Sequence, residues 1–291
     1  MTMKVLVLGS AAGGGFPQWN CNCSNSSVAR KNPQRAKPRT QSSIAVSVDN
    51  GKNWFLFNAS PDLRQQINDN VALQPKTGIR HSPILGVFIT NGDIDHIAGL
   101  LNLRESHPLS IYATKKVLNI LNSNTVFNVL NPDFVERREV SLNQTILLKD
   151  KNNNSTGIEV EVFPVPGKIA LFLENKNKGN NFGTDEEDTI GLKIIDSKTK
   201  KYFFYIPGCA DMTDDLKNRL KQIIREEVST ALYEETFKFG TLANPKEMDP
   251  NDPMVKVKGF ATLNRTSIRN QIVDRLSGAL ATAKDAARGA P

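Results

Sequence analysis

The stretch T-N-G-D-I-D-H-I-A-G-L, from Thr90 to Leu100, decides how this chain of 291 residues is read. It follows I-L-G-V-F-I (Ile84 to Ile89), a fully apolar run of the kind that forms a buried strand. Asp93, Asp95 and His96 then fall within four positions, in a chain that has only three histidines. A strand that ends in such a loop and passes at once into a helix delivers its side chains to a crevice at the sheet edge. Carboxylates with one imidazole suit iron, manganese or zinc, and leave coordination positions open for water or substrate. The other reading is structural: Asp95 caps the helix and His96 packs against the core. Spacing by itself leaves both open.

The surrounding pattern is of alternating strands and helices. Val5 to Leu8 forms a first strand that runs into the glycine-rich G-S-A-A-G-G-G. Ile44, Val46 and Val48 alternate with polar residues, which predicts a half-buried strand. The turn Asp49-Asn50-Gly51 and the run W-F-L-F (Trp54 to Phe57) complete a hairpin. Ser60 is the expected N-cap of a helix with Pro61 at its first position. A second helix is expected from Asp95 through D-H-I-A-G-L-L-N-L-R-E, then a strand at Leu109 to Ala113 and a helix from Lys115 to Asn122. Strands follow at Val160 to Val165, Ile190 to Ile195 and Lys201 to Ile206, with a polar loop between Glu174 and Asp188. Thr213 is placed to cap a helix marked by Leu216, Leu220, Ile223 and Ile224. This order implies an α/β sandwich, two mixed sheets covered by helices.

Composition narrows the function. Hydrophobic residues are 39% and charged residues 23%, enough for a packed core. No run approaches the length of a membrane span, and the N-terminus reads as a strand rather than a secretory signal, so a cytoplasmic location is expected. The net charge of +7 is concentrated partly in Arg30 to Arg39, but no stacking platform or nucleic-acid motif accompanies it. A solvated loop is the expectation there, without nucleic acid as a partner. Three cysteines do not make a disulfide framework, and the close pair Cys21 and Cys23 points to metal or redox chemistry. Cys209, after an apolar strand, is expected to be a small buried residue. The glycine-rich loop lacks the G-K-[ST] ending of a phosphate loop and is expected to pack closely beside the site.

The loop resembles the metal loop of the metallo-β-lactamase fold, T-H-x-H-x-D-H-x-x-G. Asn91 stands at the first histidine and Asp93 at the second, while Asp95 and His96 are kept. In that altered form it resembles the PqqB family of pyrroloquinoline quinone (PQQ) biosynthesis. Four further segments carry the same resemblance in the same order: G-S-A-A-G-G-G-F-P-Q-W-N-C-N-C (Gly9 to Cys23), F-N-A-S-P-D-L-R-Q-Q-I (Phe57 to Ile67), F-P-V-P-G-K-I-A-L (Phe163 to Leu171) and Y-I-P-G-C-A (Tyr205 to Ala210). The resemblance implies a metallo-β-lactamase-like αββα sandwich with its site at the sheet edge. It implies an iron- and oxygen-dependent hydroxylase acting on the tyrosine ring of a PQQ precursor derived from a Glu–Tyr peptide, alongside other proteins of the pathway. The alternative is a non-catalytic carrier of PQQ or its precursor toward the periplasm.

By the same resemblance Asp93, Asp95 and His96 are the iron ligands and catalytic residues, with one aspartate orienting rather than binding. Gln18 and Ser60 are expected to contact substrate. Cys21 and Cys23 are expected to hold a structural zinc, for which the family supplies a third cysteine where this chain has Ser26. The family's histidine-bearing segments of the last quarter have no counterpart, since no histidine follows His107. Enzyme and carrier therefore both stand as expectations. The expected division is a PqqB-like domain over residues 1–239 and a divergent tail over 240–291 with one amphipathic helix through Ile268, Ile272, Leu276 and Leu280.

Overall fold

A computed structural model of the chain describes residues 3–178 and 183–221. Met1–Asp211 forms one compact unit. Its first sheet has six strands in spatial and chain order: β1 (Lys4–Gly9), β2 (Ser43–Ser47), β3 (Trp54–Phe57), β4 (Ile84–Phe88), β5 (Leu109–Thr114) and β6 (Val135–Val140). β1, β2 and β3 pair antiparallel, and β3 to β6 pair parallel. The second sheet, β7 (Thr145–Lys149), β8 (Ser155–Pro164), β9 (Ile190–Asp196) and β10 (Tyr202–Tyr205), is antiparallel throughout. Only one of the two sheets expected to be mixed is so.

Alternation along each strand sorts the core into two layers. Phe55, Phe57, Phe88 and Tyr112 project from the first sheet toward Val160, Val162, Leu192 and Ile194 of the second. Their rings form a ladder, with Phe57 over Phe88 and Phe88 over Tyr112, each at 6.0 Å between centroids. Trp54, Leu56, Val87 and Ile111 take the other face. There they meet Leu63 of α2 (Leu63–Asp69), Ile97 of α3 (Ile94–Ile97) and Val117 and Leu121 of α4 (Lys115–Ser123). The first sheet is thus covered on both faces. That is why β2, expected to be half-buried from its alternation, is buried at all five positions.

The Asp49-Asn50-Gly51 hairpin forms as expected, with Asn50 and Gly51 both at positive φ, 69° and 83°. Two helix expectations are corrected. α2 begins at Leu63, with Asp62 and not Ser60 at its N-cap position. α3 lasts a single turn and continues as a 3₁₀ segment over Ala98–Leu103. A polar helix, α1 (Ser24–Lys31), and the charged edge strand β6 were not legible from periodicity.

Thr213 accepts from the amide of Leu216 at 3.3 Å and caps a helix over 214–221, in a second unit that begins at Met212. Ile223, Ile224, the tail helix and the expected 239/240 boundary lie outside the described residues. Among the described residues no helix is long and apolar enough to cross a membrane.

Candidate metal centre

The parallel strands β3, β4 and β5 end at one edge, and the Asp93–His96 loop emerges there from β4. Glycine makes the route passable. A Cβ on Gly92 would lie 2.3 Å from Cδ1 of Ile120, and one on Gly99 would lie 2.1 Å from the carbonyl oxygen of Ser60. The loop also ties the two sheets together. Asn91 bridges to Thr189, and Ile190 at the start of β9 donates to the Thr90 carbonyl at 3.0 Å.

Each candidate ligand has a distinct setting. Asn91 Oδ1 accepts the Asp93 amide at 3.0 Å, which closes the turn. Asp93 Oδ1 accepts the amide of Leu171 at 3.2 Å. Burial pushes the Asp93 carboxyl above its ordinary range, the Leu171 amide opposes this, and the charge of Asp95 adds to it. Asp95 Oδ1 lies 3.0 Å from Nδ1 of His96. Burial alone would raise Asp95, but the hydrogen bond and the charge of His96 hold it below the usual carboxylate range.

His96 is the decisive residue. It is buried, 6% exposed, and its Nε2 has no hydrogen-bond partner. With Nδ1–H donating to Asp95, Nε2 carries a lone pair in a place where an unpaired polar atom is unfavourable. A carboxylate that fixes one ring nitrogen and frees the other is the arrangement that orients a metal-binding histidine. The fit to a metal is therefore good at His96. Asp95 is its orienting partner, and Asp93 is turned toward the 170–173 segment. Among the described residues no three His, Cys, Asp or Glu side chains are gathered closely enough to hold an ion by themselves.

The cysteine loop is built separately. Sγ of Cys21 and Cys23 are 3.1 Å apart, both thiols are free, and Cys23 Sγ lies 3.5 Å from the buried Ser26 Oγ. Hydrogen bonds with the Ser26 hydroxyl and amide, and with Cys21, lower the Cys23 thiol to about 7. Arg30 holds this loop by donating to the carbonyls of Cys21 and Gln18, at 2.5 and 2.6 Å. Part of the basic run is thus a brace rather than solvated charge.

Gln18 is exposed and its side chain borders Gly14, while the neighbouring Gly13 lies against the Asp95 carboxylate. Ser60, expected to contact substrate, is wholly buried with its hydroxyl unpartnered, and Gly99 packs against its carbonyl. Cys209 is corrected: it is exposed, its thiol donates to the Asp211 carbonyl at 2.9 Å, and partial burial pushes its pKa up. Its loop joins the site edge, since Ala210 donates to the Pro166 carbonyl at 2.7 Å. Leu171 and Asn58 were not foreseen, since nothing in their local sequence signals contact with a loop far along the chain.

Residues 53–248 match a family model described as a beta-lactamase superfamily domain. Coenzyme PQQ synthesis protein B of Xanthomonas campestris pv. campestris is 50% identical over 218 residues, 75% of this chain and 69% of that protein. The same protein of Methylobacterium radiotolerans is 47% identical over 218 residues, with the same coverage. The chain belongs to the PqqB family. A crystal structure of Zn(2+)-bound PqqB from Methylobacterium extorquens superposes with a TM-score of 0.68 at 49% identity, covering 75% of this chain and 69% of that one. The metallo-β-lactamase fold expected from the loop is therefore present, and each of the five motifs that suggested PqqB has a residue at or beside its site edge.

Proposed function

We propose that this chain acts in PQQ biosynthesis as a metal-dependent hydroxylase of the tyrosine ring of the Glu–Tyr-derived precursor, in the cytoplasm and alongside other PQQ-pathway proteins. The observation that carries this is the buried, unpartnered Nε2 of His96, aimed by Asp95. The names of its relatives, Coenzyme PQQ synthesis protein B, support the pathway, and the Zn(2+)-bound relative supports a metal.

His96 would hold the ion, with Asp93 released from the Leu171 amide as a second donor. Imidazole and carboxylate accept both zinc and iron, but zinc has no redox chemistry. When bound, iron would supply the redox chemistry that a reaction with oxygen requires. The protein's own residues do the rest. Asp95 keeps the imidazole in the tautomer with Nε2 free, the exposed Gln18 borders Gly14 near Asp95, and the Leu171 amide holds Asp93. Cys21 and Cys23 would supply two thiolates to a structural zinc away from this centre.

The test is product formation from the precursor peptide by protein loaded anaerobically with ferrous iron and then exposed to oxygen with an added two-electron reductant such as ascorbate, which carries the second oxygen atom to water. The expected result is a gain of one oxygen atom on the tyrosine ring with iron and none with zinc. Binding of PQQ or precursor with no product under either metal would replace this reading with that of a carrier.

A further inference from the structure

Two adjacent residues at the end of β3 hold both ends of the metal loop. Asn58 is wholly buried and adopts a left-handed backbone conformation, φ 65°. Its amide continues the ladder by donating to the Phe88 carbonyl at 2.8 Å, and its own carbonyl accepts from Ser43 Oγ at 2.9 Å. Its side chain faces the start of the loop: Oδ1 accepts the Thr90 amide at 2.9 Å, and Nδ2 donates to Thr90 Oγ1 at 3.0 Å and to the Tyr205 hydroxyl at 3.4 Å. The left-handed turn then presents Ala59 to the other end. Ala59 donates to the His96 carbonyl and accepts from the Gly99 amide, both at 2.8 Å.

We propose that Asn58 is a positioning residue for the metal centre, fixing Thr90 through its side chain and His96 through the turn it makes. The inference rests on the reading of His96 as a metal ligand. The residue type follows from two demands. The left-handed conformation admits glycine and asparagine most readily. The buried contacts need an acceptor for the Thr90 amide and a donor for Thr90 Oγ1 and Tyr205, which the carboxamide supplies together. Glycine would keep the turn and lose the clamp; aspartate would lose the donor and bury a charge. The clamp acts on backbone at both ends of the loop, so its loss should widen the directions that Nε2 samples.

The test is zinc affinity by chelator competition, with Zn²⁺ as the probe, in the full chain carrying Cys21→Ser and Cys23→Ser. Asn58→Gly and Thr90→Val should each weaken zinc by about 10-fold or more, the range seen when groups behind a metal ligand are removed. Both should still unfold cooperatively above the assay temperature. Ser47→Ala removes a buried hydroxyl at the far end of the sheet and should leave affinity within 2-fold or so. With Co²⁺ as a second probe, the visible absorption of Asn58→Gly should differ in shape from that of the parent. Folded Asn58→Gly or Thr90→Val with parental zinc affinity overturns the role; if Asn58→Gly does not fold, Thr90→Val decides. Equal zinc binding by the parent and by His96→Ala would overturn the metal reading itself, and this role with it.

Discussion

The two ends of the first sheet carry polar loops that are finished in opposite ways. At the β2–β3 end, Asp49 accepts from Ser47 Oγ at 2.8 Å, from the amides of Lys52 and Asn53 at 3.0 Å each, and from Asn53 Nδ2 at 2.8 Å. A cleft of about 400 Å³ opens there, lined in part by Asp49, Trp54, Gly157 and Asp196. The Asp196 carboxylate is likewise taken by the amides of Lys198 and Thr199. At the other end the Nε2 of His96 is buried without a partner. The cleft sits beside carboxylates that are already consumed. The open valence sits in the metal loop. A loop whose polar groups are all used holds itself together, whereas a buried lone pair beside an orienting carboxylate calls for a ligand. What marks the metal loop is the pairing of a buried free nitrogen with an orienting carboxylate.

Three substitutions would break or sharpen this contrast. Gly99→Ala should have the largest effect on stability. Its Cβ would stand 2.1 Å from the Ser60 carbonyl oxygen and 2.7 Å from that of Ala59, and both are backbone. A loss of about 3 kcal/mol or outright failure to fold is expected, as overpacking against rigid neighbours produces; thermal melting checks it. Unchanged melting would show that the clamp on the metal loop is loose.

Asp49→Ala should come next, at about 1–2 kcal/mol, since it leaves two turn amides without their acceptor. Metal content should not change. Its pH dependence has a definite sign. Burial raises Asp49, but the Asn53 amide and the Ser47 hydroxyl outweigh this and hold it below the ordinary carboxylate value. A carboxyl depressed in the folded state stabilises above its unfolded pKa, and that contribution is lost as pH falls through the folded value. Denaturant melts of both proteins should therefore differ at neutral pH and converge below about pH 4. A gap that instead widened in acid would contradict the reading of that end as purely structural.

Ser26→Cys should have a small effect on stability and a clear one on metal. Ser26 Oγ is 3.5 Å from Cys23 Sγ and the residue is buried, so a third thiol would join the pair. Zinc retained at this loop after gel filtration should rise toward one equivalent, because three thiolates approach the tetrahedral set that two do not. Zinc held equally well before and after the change would show that the native loop already completes its site.

The fold was legible because its strongest signals are local. The apolar run before Thr90, the D-N-G hairpin and the capped helix at Lys115 each form from their own residues. The elements that were missed obey tertiary demands. β6 reads V-E-R-R-E-V because it is an edge strand with one open side, and β2 is buried throughout because the second sheet covers its Ile44 and Val46 face while Ala45, on the other face, joins the helix-side core. The candidate site was legible in its residue types and not in its supports. Asp93, Asp95 and His96 announce themselves by spacing, but the Leu171 amide that engages Asp93 lies 78 residues away. Ser60 before Pro61 suits a helix start, yet Asp62 holds the N-cap position, and Asn58, two residues before Ser60, ties the strand end to the metal loop. Cys209 was read as buried from the strand before it, yet the chain turns outward at Pro207 and Gly208.

The central claim is that His96 holds a metal through Nε2. The measurement that tests it most directly is elemental analysis of anaerobically reconstituted protein, for the native chain, His96→Ala and His81→Ala. His81 serves as the control because it sits outside the loop, with Nδ1 accepting the Lys76 amide at 3.2 Å. The account predicts about one iron per native chain and per His81→Ala chain, and none in a His96→Ala protein that still melts cooperatively. Iron that persists undiminished in His96→Ala, or that is absent from all three, would contradict it.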